Sequence, residues 1–178
     1  MKEMTVNYSN QSVKIQIGEN VLSEINFPST SKYMIITDEN VGKLYLNQVL
    51  NKLPNALFHI LPAGEESKSL AIVEELLEHL LVSSYTKGDV LIALGGGVIT
   101  DLVGFIASIY KRGIKLVSIP TSLLAQADSA LGGKTGVNFT ANNLTYKNQI
   151  GTIYHPELIL VDPSILKTLP EAEFRSGI

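Results

Sequence analysis

Val90-Leu91-Ile92-Ala93-Leu94-Gly95-Gly96-Gly97-Val98-Ile99-Thr100-Asp101 decides the fold. Its first five residues form the apolar, partly β-branched run of a buried strand. Three glycines follow at once, and the residues after them open a helical pattern from Val98 to Tyr110. A strand that turns through glycine into a helix is the βα corner of a parallel sheet. Backbone N–H groups at the amino end of such a helix are placed to meet an anion, a pyrophosphate being the natural one. A tight corner that binds nothing explains three glycines equally well. Thr100 stands where the third glycine of a G-x-G-x-x-G turn belongs, and the corner follows a later strand than the first. Both features depart from a simple Rossmann fingerprint.

The same rhythm of apolar run, turn and amphipathic stretch repeats on either side. It predicts strands over Tyr33 to Thr37, Ala56 to Leu61, Val90 to Leu94, Leu116 to Ile119 and Leu158 to Val161. Helices are predicted over Val41 to Leu53, Ser69 to Ser84, Val98 to Tyr110 and Ser122 to about Leu131. Before them, Thr5 to Ile17 alternates around a turn-like Ser9-Asn10-Gln11, which reads as an opening β-hairpin. Phe139 to Lys147 is polar and reads as a loop. The expectation is one α/β domain over residues 1–178, Rossmann-like, with a mostly parallel sheet and helices on both faces.

Composition narrows the function. The chain has 178 residues, 45% of them hydrophobic and 17% charged, and a formal net charge of −3. That charge, with no cluster of Lys and Arg, argues against a nucleic-acid partner. With no cysteine, thiolate metal sites and thiol nucleophiles are excluded, which suits a cytoplasmic protein. No apolar run approaches the roughly 20 residues of a membrane span.

Other polar clusters fall where such a sheet would present them. Asp38 ends the strand YMIIT, a position from which a carboxylate either accepts ribose hydroxyls or caps the next helix. The loop Pro62-Ala63-Gly64-Glu65-Glu66-Ser67-Lys68 also follows a strand. Lys111 and Arg112, with Gly113 behind them, close a helix, where cations suit the dipole. Downstream of Pro120-Thr121-Ser122, the residues Gln126, Asp128, Gly132-Gly133-Lys134-Thr135 and Asn138 interrupt an apolar stretch. Buried without partners they would be costly, so they point to a lined cleft. The Gly-Gly-Lys-Thr run is not a P-loop, because Ala127 occupies the first glycine position. His59, His79 and His155 have no metal-ligand spacing, and no metal ligands are assigned in this chain.

Taken in order, PAGEESKSL, ALGGGVITDLVGFIASIYKRG, SIPTSLLAQADSALGGKTGVN, KNQIGTIYHPELILVD and LKTLPEAEFRSG resemble the successive blocks of the 3-dehydroquinate synthase family, over roughly residues 33–178. The resemblance implies that this is the NAD-binding domain of such an enzyme. It places cofactor contacts at Asp38, Glu65, Lys68, Gly96, Gly97, Val98, Asp101, Thr121, Ser122, Lys134, Lys147, Thr168 and Leu169. Arg112, Lys134 and Asn148 match residues that hold the substrate phosphate, Arg112 from across a homodimer interface, and Asp128 matches a carboxylate that binds a substrate hydroxyl. The implied reaction cyclises 3-deoxy-D-arabino-heptulosonate 7-phosphate to 3-dehydroquinate with loss of phosphate, NAD being reduced and reoxidised within one turnover. A helical domain that binds zinc or cobalt is expected beyond residue 178, and without it no turnover is expected. Departures from the family are Thr100 for glycine, Ser122 for threonine, and a longer link from Phe139 to Tyr146. Another sugar-phosphate cyclase, a metal-dependent polyol dehydrogenase and a non-catalytic nucleotide-binding module are the alternatives.

Overall fold

Strand Tyr33–Asp38 (β3) is buried along all but its last residue, and strand Val90–Gly95 (β5) along its whole length, as expected of central parallel strands covered on both faces. Alternation then divides their side chains between two cores. Met34, Ile36, Leu91 and Ala93 pack with residues of helices Leu70–Val82 (α4) and Gly97–Ile109 (α5). Tyr33, Ile35, Val90, Ile92 and Leu94 face the other way, toward Val21, Leu46, Val49 and Ile165. The computed structural model describes residues 1–9, 11–24 and 26–177.

The strands lie in one seven-stranded sheet of order β1-β2-β9-β6-β5-β3-β4. Here β1 is Lys2–Asn7, β2 Ser12–Ile17, β4 Leu57–Leu61, β6 Lys115–Pro120 and β9 Leu158–Val161. Only the opening hairpin β1–β2 pairs antiparallel; the other neighbours are parallel. Asn10, in the middle of the turn expected there, lies outside the described residues. The sheet is thus the mostly parallel α/β sheet that periodicity predicts, with the ends of the parallel strands within a residue or two and the opening hairpin starting at Lys2, three residues before Thr5.

Two expectations are corrected. The helix expected over Val41 to Leu53 begins at Glu39, because Asp38 caps it. It runs through Glu39–Val41 (α2), a π-wound turn at Gly42–Leu46 and Asn47–Lys52 (α3). The segment Phe139 to Lys147, read as a loop, instead extends a two-stranded antiparallel ribbon of Lys134–Ala141 (β7) and Leu144–Ile153 (β8). Asn142 and Asn143 turn its tip with φ of 51° and 61°. This is the positive-φ pair of a tight hairpin turn, for which asparagine is suited. Polarity misled the reading because both strands of the tip are solvated.

The glycine corner is required by contact, not by handedness. None of Gly95, Gly96 and Gly97 has positive φ, but a Cβ on Gly95 would lie 2.6 Å from Ile99 Cβ and Cγ1. Ile99 is 1% exposed and cannot retreat. Gly95→Ala is therefore expected to destabilise the fold by about 1–3 kcal/mol through overpacking. A melting temperature equal to that of the wild type in thermal unfolding would show that the corner has slack.

Candidate functional site

The strand order reverses between β3 and β5, with β4 outside β3 on one side and β6 and β9 beyond β5 on the other. In open α/β sheets this switch point leaves a crevice at the carboxyl ends of the strands. It also explains why the glycine corner follows β5, a later strand: β5 is the neighbour of β3 at the reversal. A cleft of about 540 Å³ opens there, lined by Asp38, Leu44, Tyr45, Gly64, Gly96, Gly97, Val98, Thr121, Ser122, Thr168 and Leu169, among others.

Each wall has a local cause. Asp38 Oδ1 accepts from the N–H groups of Asn40 and Val41 at 2.9 and 3.0 Å, so the capping reading describes one oxygen. Oδ2 makes no hydrogen bond among the described residues. Thr121 N–H donates to Gly95 O at 3.0 Å, which holds the end of β6 against the corner. A Cβ on Gly96 would meet Ser122 Oγ at 3.4 Å, and one on Gly97 would meet Ser129 Oγ at 3.6 Å. The space beside these two glycines is thus kept clear by the absence of side chains, a cradle suited to a phosphate. Thr100 does not intrude on it. Its hydroxyl turns back to Gly97 O at 3.1 Å, and the residue is 7% exposed.

Tyr45 is a lining residue that sequence reading passed over, since a tyrosine in a helical pattern reads as packing. Its hydroxyl donates to Ile165 O at 3.2 Å and makes a short contact to Thr168 Oγ1, tying the π-wound turn to the segment that carries Thr168 and Leu169. A π-wound turn at a ligand cleft is a recurrent arrangement.

A second cleft, of about 630 Å³, is lined by Asp101, Asp128, Ser129, Lys134, Asn148 and residues of β7 and β8. Asp128 and Lys134 are exposed to it. The burial cost inferred for them is therefore avoided by exposure. Gln126 is the buried member of that polar stretch, donating to Pro120 O at 3.1 Å and Asp162 O at 2.9 Å, and it serves the fold.

Behind the second cleft lies a nearly enclosed lysine, held by two residues that line it. Lys68 has a side chain 4% exposed, and its Nζ donates to Asp101 Oδ2 at 2.5 Å and to Asn148 Oδ1 at 2.6 Å. Burial pushes the Asp101 carboxyl above its ordinary range; Lys68 draws it down and Glu65 adds to the rise. Asn148 takes φ 56°, at an irregularity in the ribbon where Asn138 alone stands between pairs Val137↔Ile150 and Phe139↔Tyr146. Residues 139–146 lie beyond that irregularity, at the hairpin tip.

The structure does not gather every residue that the resemblance names into one place. Asp38, Gly96, Gly97, Val98, Thr121, Ser122, Thr168 and Leu169 line the first cleft. Asp101, Asp128, Lys134 and Asn148 line the second, so Lys134 stands on the side of Asp128. Glu65 accepts from Asn138 Nδ2 at 2.7 Å, and Lys68 lies behind Asp101. Lys147 and Arg112 are exposed and line neither cleft. His59 pairs with Glu75 at 3.1 Å, and His155 stacks on Tyr8 with centroids 3.8 Å apart. Among the described residues, no group of three or more His, Asp or Glu is placed to hold a metal ion.

Comparison with known proteins gives this geometry a context. Residues 58–176 match the family described as 3-dehydroquinate synthase N-terminal. The chain is 43% identical over 186 residues to a 3-dehydroquinate synthase of Latilactobacillus sakei, covering 99% of this chain and 51% of that protein. It spans about half the length of the curated relatives it matches. A solved 2-deoxy-scyllo-inosose synthase, complexed with carbaglucose-6-phosphate, NAD+ and Co2+, superposes with a TM-score of 0.88 at 28% identity, covering 99% of this chain and 49% of that one. A 2-epi-5-epi-valiolone synthase from Streptomyces hygroscopicus with NAD+ and Zn2+ bound gives 0.82 at 31% identity, covering 97% and 49%.

Proposed function

The chain belongs to the 3-dehydroquinate synthase family by its amino-terminal domain, and from that premise we propose that it is the cofactor-binding part of an enzyme converting 3-deoxy-D-arabino-heptulosonate 7-phosphate to 3-dehydroquinate. The observation that carries the proposal is the pair of clefts that share the first residues of α5, one built on its glycine corner and the other holding Asp101, Asp128 and Lys134. NAD fits the first cleft: the space beside Gly96 and Gly97 suits a pyrophosphate, and the free Oδ2 of Asp38 suits a ribose hydroxyl. When bound, NAD supplies a reversible hydride acceptor.

The chain's own residues bind and orient. The open N–H groups at the start of α5 meet the pyrophosphate. Lys134 presents a compact cation to the substrate phosphate, and Asn148, fixed on Lys68, adds a polar contact beside it. Asp128 accepts a hydrogen bond from a substrate hydroxyl. Arg112 lies outside both clefts, which supports a role at the site of a second subunit in a homodimer. Zinc or cobalt, of the kind bound in the solved synthases, is assigned in this reading to a helical domain beyond residue 178. The activity is that of a carbon–oxygen lyase, assigned to the cytoplasm, with neither nucleic acid nor membrane as partner. No helix among the described residues is long and apolar enough to cross a membrane.

The test uses the chain as it is. Calorimetry is expected to show weak NAD binding, and a phosphate-release assay with added zinc or cobalt is expected to show no turnover. Joined to the remaining half of a relative, the chain should turn over. There, Lys134→Ala should weaken substrate binding about a hundredfold, as loss of a charge-assisted contact would, and leave NAD affinity within about twofold. Loss of NAD affinity with substrate affinity retained would move Lys134 to the cofactor.

A further inference from the structure

We infer that Asn138 is a positioning residue that locks Glu65, Lys68 and Asn148 into one arrangement, a role that rests on the reading of those three as site residues. Three hydrogen bonds carry the inference. Asn138 Nδ2 donates to Glu65 Oε1 at 2.7 Å, and the Asn148 N–H donates to Asn138 Oδ1 at 3.1 Å. The Asn138 N–H donates to Lys68 O at 2.8 Å. Lys68 Nζ in turn donates to Asn148 Oδ1 at 2.6 Å, so Asn138, Asn148 and Lys68 form a closed ring.

The ring needs an amide at this position. One end of the side chain must donate to a carboxylate while the other accepts from a backbone N–H, and Asn and Gln offer both on one carbon, whereas a neutral imidazole sets its donor and acceptor on opposite sides of a ring. Asparagine has the shorter reach. The backbone also singles the residue out. Asn138 faces Lys147, Asn148 and Gln149 where the register of β7 and β8 shifts, and it forms an isolated parallel bridge with Ser69. The ribbon is thereby stitched to the loop that follows β4. The φ of 56° at Asn148 is sparsely populated for a non-glycine residue and persists when its surroundings hold it. Oδ1 of Asn138 supplies that hold. Without it, Asn148 is expected to relax toward an ordinary strand and release Lys68.

The experiment exchanges donor for acceptor. In Asn138→Asp two carboxylates meet, and the Asn148 N–H is expected to exchange with solvent about tenfold faster or more, as measured by NMR. In the double variant Asn138→Asp, Glu65→Gln, the amide at 65 donates back to the new carboxylate, and Asn148 protection should return to within about threefold of the wild type. Core amides of β3 and β5 should hold in all variants. Unchanged exchange at Asn148 in the single variant would overturn the proposal, as would failure of the double variant to restore protection. So would equal acceleration of the core amides, which marks general loosening. A titration with inorganic phosphate tests the functional reading separately: if the wild type shows no phosphate-dependent shift at Lys134 or Asn148, that reading fails while the exchange result still decides the ring.

Discussion

Replacing Gly97 by valine is expected to remove NAD binding while leaving the domain folded. A Cβ at this position meets only Ser129 Oγ, at 3.6 Å, an ordinary contact, and φ is not positive, so the backbone accepts the change. Helix propensity adds no cost, because valine is no worse than glycine in a helical turn. The two further methyl groups, however, stand beside the first open N–H groups of α5, where the backbone must approach a pyrophosphate closely. The expected loss in NAD affinity is at least about a hundredfold, or ~2.7 kcal/mol. Calorimetry paired with thermal unfolding makes the check. Equal NAD affinity in the two proteins would remove the glycine corner from the site.

Lys68→Met should be the costliest single substitution near the clefts, and its cost should depend on pH. The methionine keeps the apolar stem but leaves Asp101, whose side chain is 21% exposed, without its cation, and leaves Asn148 Oδ1 without a donor. Breaking one partner out of a buried pair strands the other charge. Allowing for the exposed fifth of Asp101, about 2–3 kcal/mol is expected above neutral pH. In the folded chain Asp101 holds its proton above the ordinary carboxylate range, chiefly because of burial. Its contribution to stability is therefore fully present below the unfolded value and is lost as pH rises through the folded one. Removing Lys68 takes away an influence that lowers the folded value, so the loss deepens with rising pH. Urea unfolding should show variant and wild type drawing together at about pH 4 and apart at about pH 8. A gap that stays constant across that range would mean that Asp101 is not the group left stranded.

Much of the fold is legible in local pattern, because strand and helix announce themselves within a few residues. β5 reads correctly since every side chain along it is apolar or glycine, and both faces of a central strand require that. Asp38 reads as a cap for the same reason: the N–H groups it accepts from lie two and three residues on. The ribbon over residues 139–147 does not read, because Asn and Thr dominate it and the apolar face shared by Phe139, Ala141, Leu144 and Tyr146 spans only a few residues and stays largely exposed. Nor does the direction of Thr100, which depends on a carbonyl within its own helix being nearer than the cleft. Asn138 reads only as one more polar residue of a lined cleft, and Tyr45 is passed over, because their partners lie 73 and 123 residues away.

The sequence by itself determined that a parallel α/β sheet forms, that a glycine corner opens a helix, and that polar residues gather after β6. All three are consequences of side-chain periodicity and of backbone freedom acting over one or two turns of chain. Tertiary structure alone decided that β3 and β5 are neighbours at the reversal of strand order, so that Asp38 and Gly97 share one cleft. It alone separated a second cleft from the first and enclosed Lys68 between Asp101 and Asn148, 33 and 80 residues distant. The physical reason is that a side chain's rotamers and a strand's own pattern limit its near neighbours. Which remote carboxylate a lysine reaches depends on how the sheet, the ribbon and α5 pack together, and that is settled by burial across the whole chain.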